Sequence, residues 1–518
     1  MIYVNIEKEN KKGFRWSETN GIYVCGYGYI NGEYHEGLEL TEYFSGISDF
    51  DDFTNRVMKL NGLFSVIIDK GESVFAAVDR YGVFRLFYHQ DHSGFYIGDD
   101  TAAIVEKTGL NKINKEAETD WVYSGFPSGN ETLIEGLHSL NASLSLFYNS
   151  IDHSLKIDRY HDFTQEPDDK KYEELISGLN EVFKNAGERF VRSLDGKKAI
   201  IPLSGGVDSR FGSLMLFKAG YKNVLCVTYG NPGDKEERMA AEVAGAYGFE
   251  HMFIPYIRSA WRGLFKDSEN IRYIDYASKY KTTPHFSDLF AARQLSKILN
   301  PEECVVVPGH VGSIAESKMK TDRYYKSSEL VRAFIIKYFY YYGLKCPGVK
   351  NHLNKRLDGY FRVGGEIDAY ASQSLFDRAG YDTYRSTHLF MATKPYEFYG
   401  FKFRLPLMDN EVVDFFKTVP LNHKGHSKKI LTDFVTGGCQ DDPGIYDVPN
   451  KFAYKVIRNL RDKRYNCINP FDVFKLRKPE YGLPGIHRTL YRYYRNYLSY
   501  AAAKTLQYIL NGLENEQN

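Results

Sequence analysis

The sequence predicts an α/β protein in two parts: a β-rich first third, then a doubly wound parallel sheet with a helical C-terminal extension. Three observations carry that expectation. Residues 1 to about 160 read as short alternating runs separated by turn dipeptides such as Asn-Gly, Lys-Gly and Ser-Gly. From about Tyr172 strand and helix patterns follow one another, the rhythm of a parallel sheet. Between one such strand and its helix stands Ser204-Gly205-Gly206-Val207-Asp208-Ser209.

In chain order, strands are predicted at 22–30, 63–69, 73–78, 94–97 and 143–148, with helices at 51–60 and 100–107. The polar stretch 165–171 reads as a linker. A helix near 172–193 then leads to a strand at 199–203, the Gly-rich turn and a helix near 209–219. A strand at 223–228, a helix at 236–247 and a strand at 251–255 complete a β-α-β-α-β unit. A further strand, 304–307, ends in Pro308-Gly309-His310-Val311-Gly312. Beyond about 325 the chain reads as mostly helical and aromatic-rich, with no fixed-period repeat.

Composition narrows the class. At 518 residues there is room for two or three domains, and a formal charge of +1 gives no global drive toward nucleic acid. The 42 Tyr and 35 Phe are spread throughout and read as packing. The six cysteines form no C-x-x-C pair, which argues against a zinc ribbon or a disulfide framework. There is no signal-peptide pattern and no run of 18 apolar residues. The expectation is a cytoplasmic protein with no transmembrane segment. Residues 451–495 are basic and interleaved with Tyr and Phe; an amphipathic helical end, a membrane or nucleic-acid surface, and contacts to a substrate diphosphate all fit that pattern.

The hexapeptide carries the chemistry. A strand that ends in a Gly-rich turn and opens a helix aims unpaired N–H groups and the positive helix end at an anion. The spacing is neither G-x-x-x-x-G-K-[ST] nor G-x-G-x-x-G. It resembles the SGGxDS loop of PP-loop ATP pyrophosphatases, which cleave ATP between the α- and β-phosphates.

Together with Leu60-Asn61-Gly62-Leu63-Phe64, Asp79-Arg80-Tyr81-Gly82, the stretch from Gly125-Phe126 to Gly136, and Arg404-Leu405-Pro406-Leu407-Met408-Asp409, the loop makes nearly the whole chain resemble the asparagine synthetase B family. That resemblance implies a glutaminase-like Ntn-type α+β sandwich over 1–163 and a PP-loop synthetase domain over 172–518. Asp208-Ser209-Arg210, the Pro-Gly-His element and the run from Tyr399 to Leu407 are most similar to asparagine synthetase-like proteins of bacterial surface-polysaccharide pathways. The implied substrate is a small carboxylate, nucleotide-linked or lipid-linked uronic acids among the candidates. Ammonia or an amine would be the acceptor, with a partner protein as one source. A homodimer is left open.

The resemblance implies roles for named residues. Ser204, Gly205, Gly206, Val207, Asp208 and Ser209 would cradle the pyrophosphate of ATP. Leu203 and Val227 would line the adenine, with Gly230 and Gly309 permitting close approach. Asp208 would hold Mg²⁺, with Glu316 the nearest second carboxylate. Asp208 as a helix N-cap is compatible with that role. His310 is placed to accept a proton from the incoming amine, or merely to hydrogen-bond in its loop. Lys428 is in register for the α-phosphate, with Lys429 adjacent. Glu236 and Glu237 either approach the metal or serve the helix dipole. Arg404 reads as a tie between the C-terminal segment and the sheet, and Asp288 as support for its helix N-terminus.

The chain also departs from the family pattern. Position 2 is Ile2, where the glutaminases place an N-terminal Cys nucleophile, and Cys25 reads as mid-strand, so no glutaminase activity is expected. Asn31-Gly32 reads as a hairpin turn. The acidic S-G-E-G-x-D-E element is replaced by Pro308 to Glu316, with His310 and Ser313 at acidic positions. The leading expectation is an ATP-dependent, AMP-forming amide ligase. An intramolecular cyclase of the β-lactam synthetase or lasso-peptide type, and a silent nucleotide-binding scaffold, are the alternatives.

Overall fold

Strand periodicity governs the first 160 residues of the computed structural model, which describes residues 1–7, 13–256, 263–309, 312–319, 349–357, 367–425, 427–437 and 497–516. The predicted strands appear as Ile22–Ile30, Asn61–Asp69, Ser73–Val78, Phe95–Gly98 and Leu144–Asn149, and the two helices as Phe50–Lys59 and Thr101–Thr108. They build a seven-stranded antiparallel sheet and a four-stranded sheet. Alternation sorts the side chains. Ile67, Val74, Ala76 and Val78 pack with Phe95 and Ile97 between the sheets. Phe64, Val66, Ile68 and Phe75 instead pack with Phe44 and with Phe53 and Val57 of the helix Phe50–Lys59.

The far face of the four-stranded sheet is covered by local and distant helices together. Phe87 and Tyr96 pack with Ile104 and Trp121, and also with Leu506 and Ile509 of the helix Tyr497–Glu516. The Trp121 indole N–H donates to the Ala502 carbonyl at 3.1 Å. The layer order is helix, sheet, sheet, helix.

Asn31 and Gly32 both adopt positive φ (52° and 82°) between the paired strands Ile22–Ile30 and Glu33–Glu36, the geometry of a tight hairpin turn. Cys25 is buried mid-strand opposite Ser65, and Ile2 begins the strand Ile2–Asn5.

The second part follows the helix Tyr172–Arg192. Five parallel strands lie in the order Glu250–Pro255, Val224–Gly230, Lys198–Pro202, Cys304–Val306, Lys402–Phe403. Ile200, Ile201, Leu225, Cys226, Val305 and Val306 are all buried, as expected for strands covered on both faces. Burial pushes the Cys226 thiol up to about 12, which keeps it protonated and inert. Strand order reverses beside Lys198–Pro202, so a crevice opens beyond that strand's carboxyl end.

Polar contacts join the two parts. Arg189 holds Asp409 through two hydrogen bonds (3.1 and 2.9 Å), and Asn61 donates to the same carboxylate. Arg404 is buried, donating to the Ser193 hydroxyl and carbonyl at 3.1 and 3.2 Å with its guanidinium over Tyr27 and Tyr34. Its side chain ties the segment after the last strand to Ser193 and to the first part, rather than to the sheet as expected.

The stretch 165–171 has no regular structure, yet it is not a free linker. Gln165 is buried, donating to Asp377 at 3.0 Å and accepting from Lys424 at 2.6 Å. Residues 451–495 lie outside the described residues. Among the described residues no helix is long and apolar enough to cross a membrane.

Candidate functional site

The Ser204–Ser209 turn is shaped by its own serines. The Ser209 hydroxyl lies 3.1 Å from the carbonyl oxygens of both Ser204 and Gly206, and accepts the Ser204 N–H at 3.2 Å. The Gly206 N–H donates to the Ser204 hydroxyl at 3.2 Å. The helix Val207–Lys218 begins directly after, with Gly206 as its N-cap and no side chain capping it. No side chain therefore takes its first-turn N–H groups. Asp208 is the second residue of the helix, so the N-cap reading of Asp208 is corrected to Gly206.

Two glycines serve this turn differently. A Cβ on Gly309 would lie 2.2 Å from Ser209 Cα and 2.4 Å from Ser209 N, so its close approach is to the turn's own backbone. A Cβ on Gly205 would meet only the flexible end of Met239, at 2.1 Å.

A cleft of about 470 Å³ opens at this strand end. The turn residues 204–209 form one wall, and Leu203 and Val227, both buried, the apolar floor. Gly309, Glu236 and Lys428 complete it. Burial beside Asp234 raises the Glu236 carboxyl above its ordinary range. Glu237 instead accepts the Gly233 N–H at 2.7 Å, and Gly230 is not among the described lining residues. Thr228, Tyr229 and Ser427 also line the cleft. Sequence reasoning missed them, although the first two continue the strand that carries Val227.

Lys428 and Lys429, adjacent in sequence, part company here. The Lys428 ammonium lies 2.5 Å from Asp208 Oδ2. Lys429 sits over the Tyr172 ring at 3.6 Å and pairs with Asp433 at 3.0 Å. Lys428 takes a left-handed backbone (φ 53°) as it starts the helix Lys429–Thr436, a conformation that costs on the order of 1 kcal/mol in a non-glycine residue.

The second oxygen of Asp208 is the conspicuous one. Oδ1 is buried and has no hydrogen-bond partner among the described residues. Among the described residues no group of three His, Cys, Asp or Glu side chains gathers to hold a metal. A cation here would take one protein carboxylate oxygen and find its other ligands on phosphates and water, a donor set that fits Mg²⁺. Glu316 is not among the lining residues; its carboxylate is bound by Lys318. His310 lies outside the described residues. The Ser313 hydroxyl is buried without a partner among the described residues.

Asp288 corrects its expected role. No side-chain bond caps the helix Leu289–Ile298. The carboxylate instead accepts the Tyr396 hydroxyl at 3.0 Å and that of Tyr229, and lies 3.0 Å from His285 Nδ1. It anchors Tyr229, a wall of the cleft, from behind. Arg210 is buried near Tyr247 and does not line the cleft.

The fold and cleft define a mixed α/β protein with a cleft at a strand end. No family model matches the chain, and no curated protein does. Among solved structures it is similar to an allosteric regulatory enzyme of purine biosynthesis, at 13% identity, 62% coverage of this chain and 58% of that one, and a TM-score of 0.19. It is similar also to the glutamine phosphoribosylpyrophosphate amidotransferase from B. subtilis complexed with ADP and GMP, at 13% identity, 57% and 63% coverage, and a TM-score of 0.19. The chain spans about three fifths of the length of these structures. A likeness at that TM-score has no bearing on the chemistry of the cleft.

Proposed function

We propose that the chain is an ATP-dependent, AMP-forming amide ligase, with a PP-loop synthetase domain over 172–518 and a glutaminase-like scaffold over 1–163. The observation that supports this reading is the pairing of Lys428 with Asp208 across a Gly-rich strand-to-helix turn whose helix N-terminus has no side-chain cap.

In this reading the triphosphate lies along 204–209 and the adenine on Leu203 and Val227. A substrate carboxylate oxygen bonds to the α-phosphorus, and the bond to the β-phosphate oxygen breaks, releasing pyrophosphate. Lys428 exchanges Asp208 for an α-phosphate oxygen and offsets the charge that builds there. Asp208 Oδ1 would hold Mg²⁺, which supplies charge neutralisation of the leaving pyrophosphate. An amine nitrogen then attacks the acyl carbon, loses a proton, and AMP departs.

The test is substrate-stimulated ATP–pyrophosphate exchange with aspartate, with UDP-uronates and with no acid. Exchange with a uronate supports a sugar amide ligase, and exchange with aspartate alone an ammonia-dependent asparagine synthetase. No exchange, together with no ATP binding by calorimetry, overturns the reading.

A further inference from the structure

Arg210 follows the Ser204–Ser209 turn directly, as the fourth residue of the helix Val207–Lys218. It is only 6% exposed, and its Nε is buried with no hydrogen-bond partner among the described residues. Among those residues no carboxylate acts on its guanidinium; the titratable group beside it is Tyr247. Burial holds the Tyr247 phenol above its ordinary range, so this neighbour is neutral and offers no compensating charge. Asp208, two residues earlier, is already engaged by Lys428.

Two unfavourable effects therefore fall on one side chain. A desolvated cation with no anion beside it costs the fold free energy. A cation in the first turn of a helix also opposes the dipole, whose positive end lies there. A polyanion seated in the 204–209 turn relieves both at once. It brings negative charge to the helix end that carries Arg210, across protein interior where charges are screened far less than in water.

On the nucleotide reading of the cleft, we propose that Arg210 is a buried counter-charge for the polyphosphate in the 204–209 turn, acting through the turn's backbone without touching the ligand. Arg210 is absent from the described lining of the cleft, so its part is Coulombic and not a hydrogen bond to phosphate. Charge should then matter more than the shape of the guanidinium. A purely structural arginine would behave in the opposite way, since its removal would break contacts and weaken the fold.

Calorimetry with ATP and Mg²⁺, and thermal unfolding without nucleotide, test this on the full chain. Arg210→Met keeps the apolar stem and removes the charge; it is expected to weaken ATP about tenfold, while the thermal midpoint stays level or rises. Arg210→Lys keeps the charge and is expected to hold ATP within about threefold of wild type. A lowered midpoint or a failure to fold in Arg210→Met overturns the proposal, and so does a Lys variant that binds ATP as weakly as the Met variant. ATP binding by the wild type that Arg210→Met leaves unchanged removes this proposal alone. A wild-type chain that binds no ATP removes the nucleotide reading and this proposal together.

Discussion

Asn61 and Asp409 are separated by 348 positions in sequence and by 3.0 Å in space. The Asn61 amide donates to the carboxylate and accepts the Asn410 N–H at 2.9 Å, while Arg189 grips the same carboxylate from the helix Tyr172–Arg192. Two strings that read as separate signatures, one in a strand and one after the last strand of the other sheet, are the two sides of one contact.

Removing that hub should loosen the whole seam. Asp409→Ala leaves Arg189 and Asn61 with unmet polar groups and is expected to cost about 3 kcal/mol in urea unfolding, because a part-buried pair has lost one partner. Lys115→Ala, which breaks an exposed pair with Glu118, should stay within about 0.5 kcal/mol. Equal midpoints for the two variants would remove the hub from the account of stability.

Lys428→Met should lower exchange by about 10²–10³-fold while ATP affinity, read by calorimetry, changes far less. Lys429→Met is the matched control, since its ammonium lies over Tyr172 rather than in the cleft, and should leave exchange near wild type. A reversed order would reassign the cation.

Gly309→Ala and Gly205→Ala should part sharply. The first drives a methyl into the Ser209 backbone and is expected to cost about 2–3 kcal/mol and to displace the turn, with ATP binding lost. The second displaces only the Met239 methyl and should be tolerated within about 1 kcal/mol. Thermal midpoints and calorimetry with ATP read both effects.

His388 sets an acid limit. Buried, and with His285 nearby, it is pulled down to about 3 from an ordinary 6.5, so the unfolded chain binds its proton first on acidification. Stability from this group is present above about 6.5 and is lost toward 3, at up to about 1.4 kcal/mol per pH unit. His388→Phe keeps a ring against Tyr384 and should flatten the slope between about pH 5 and 6.5. An unchanged slope in urea titrations would exclude His388 as its source.

Local signals were legible and distant ones were not. The 22–30 and 73–78 strands, the hairpin at Asn31-Gly32 and the turn at 204–209 follow from periodicity and glycine placement, which depend on neighbours in sequence. Gln165 was misread because its polarity signals solvent, whereas buried Asp377 and Lys424, more than 200 positions away, satisfy its amide. Asp288 looked like a cap because it precedes a helix, but Tyr229 and Tyr396 from elsewhere in the fold, with the nearby His285, claim its carboxylate. Lys428 and Lys429 could be ordered only by register until the helix start set them apart.

The helix Tyr497–Glu516 lies over the sheet built by residues 2–140 and holds Trp121 through the Ala502 carbonyl. This has a consequence in time. During synthesis the first sheets and their local helices can pair long before residue 500 exists, yet the apolar surface around Trp121 and Ile104 stays only partly covered until residues 497–516 emerge. A ribosome-bound chain stalled ahead of that helix should therefore carry an adhesive patch around Trp121 and Ile104, of the kind that recruits a chaperone. Truncations near residue 496 should be captured by such holdases, and the full chain released.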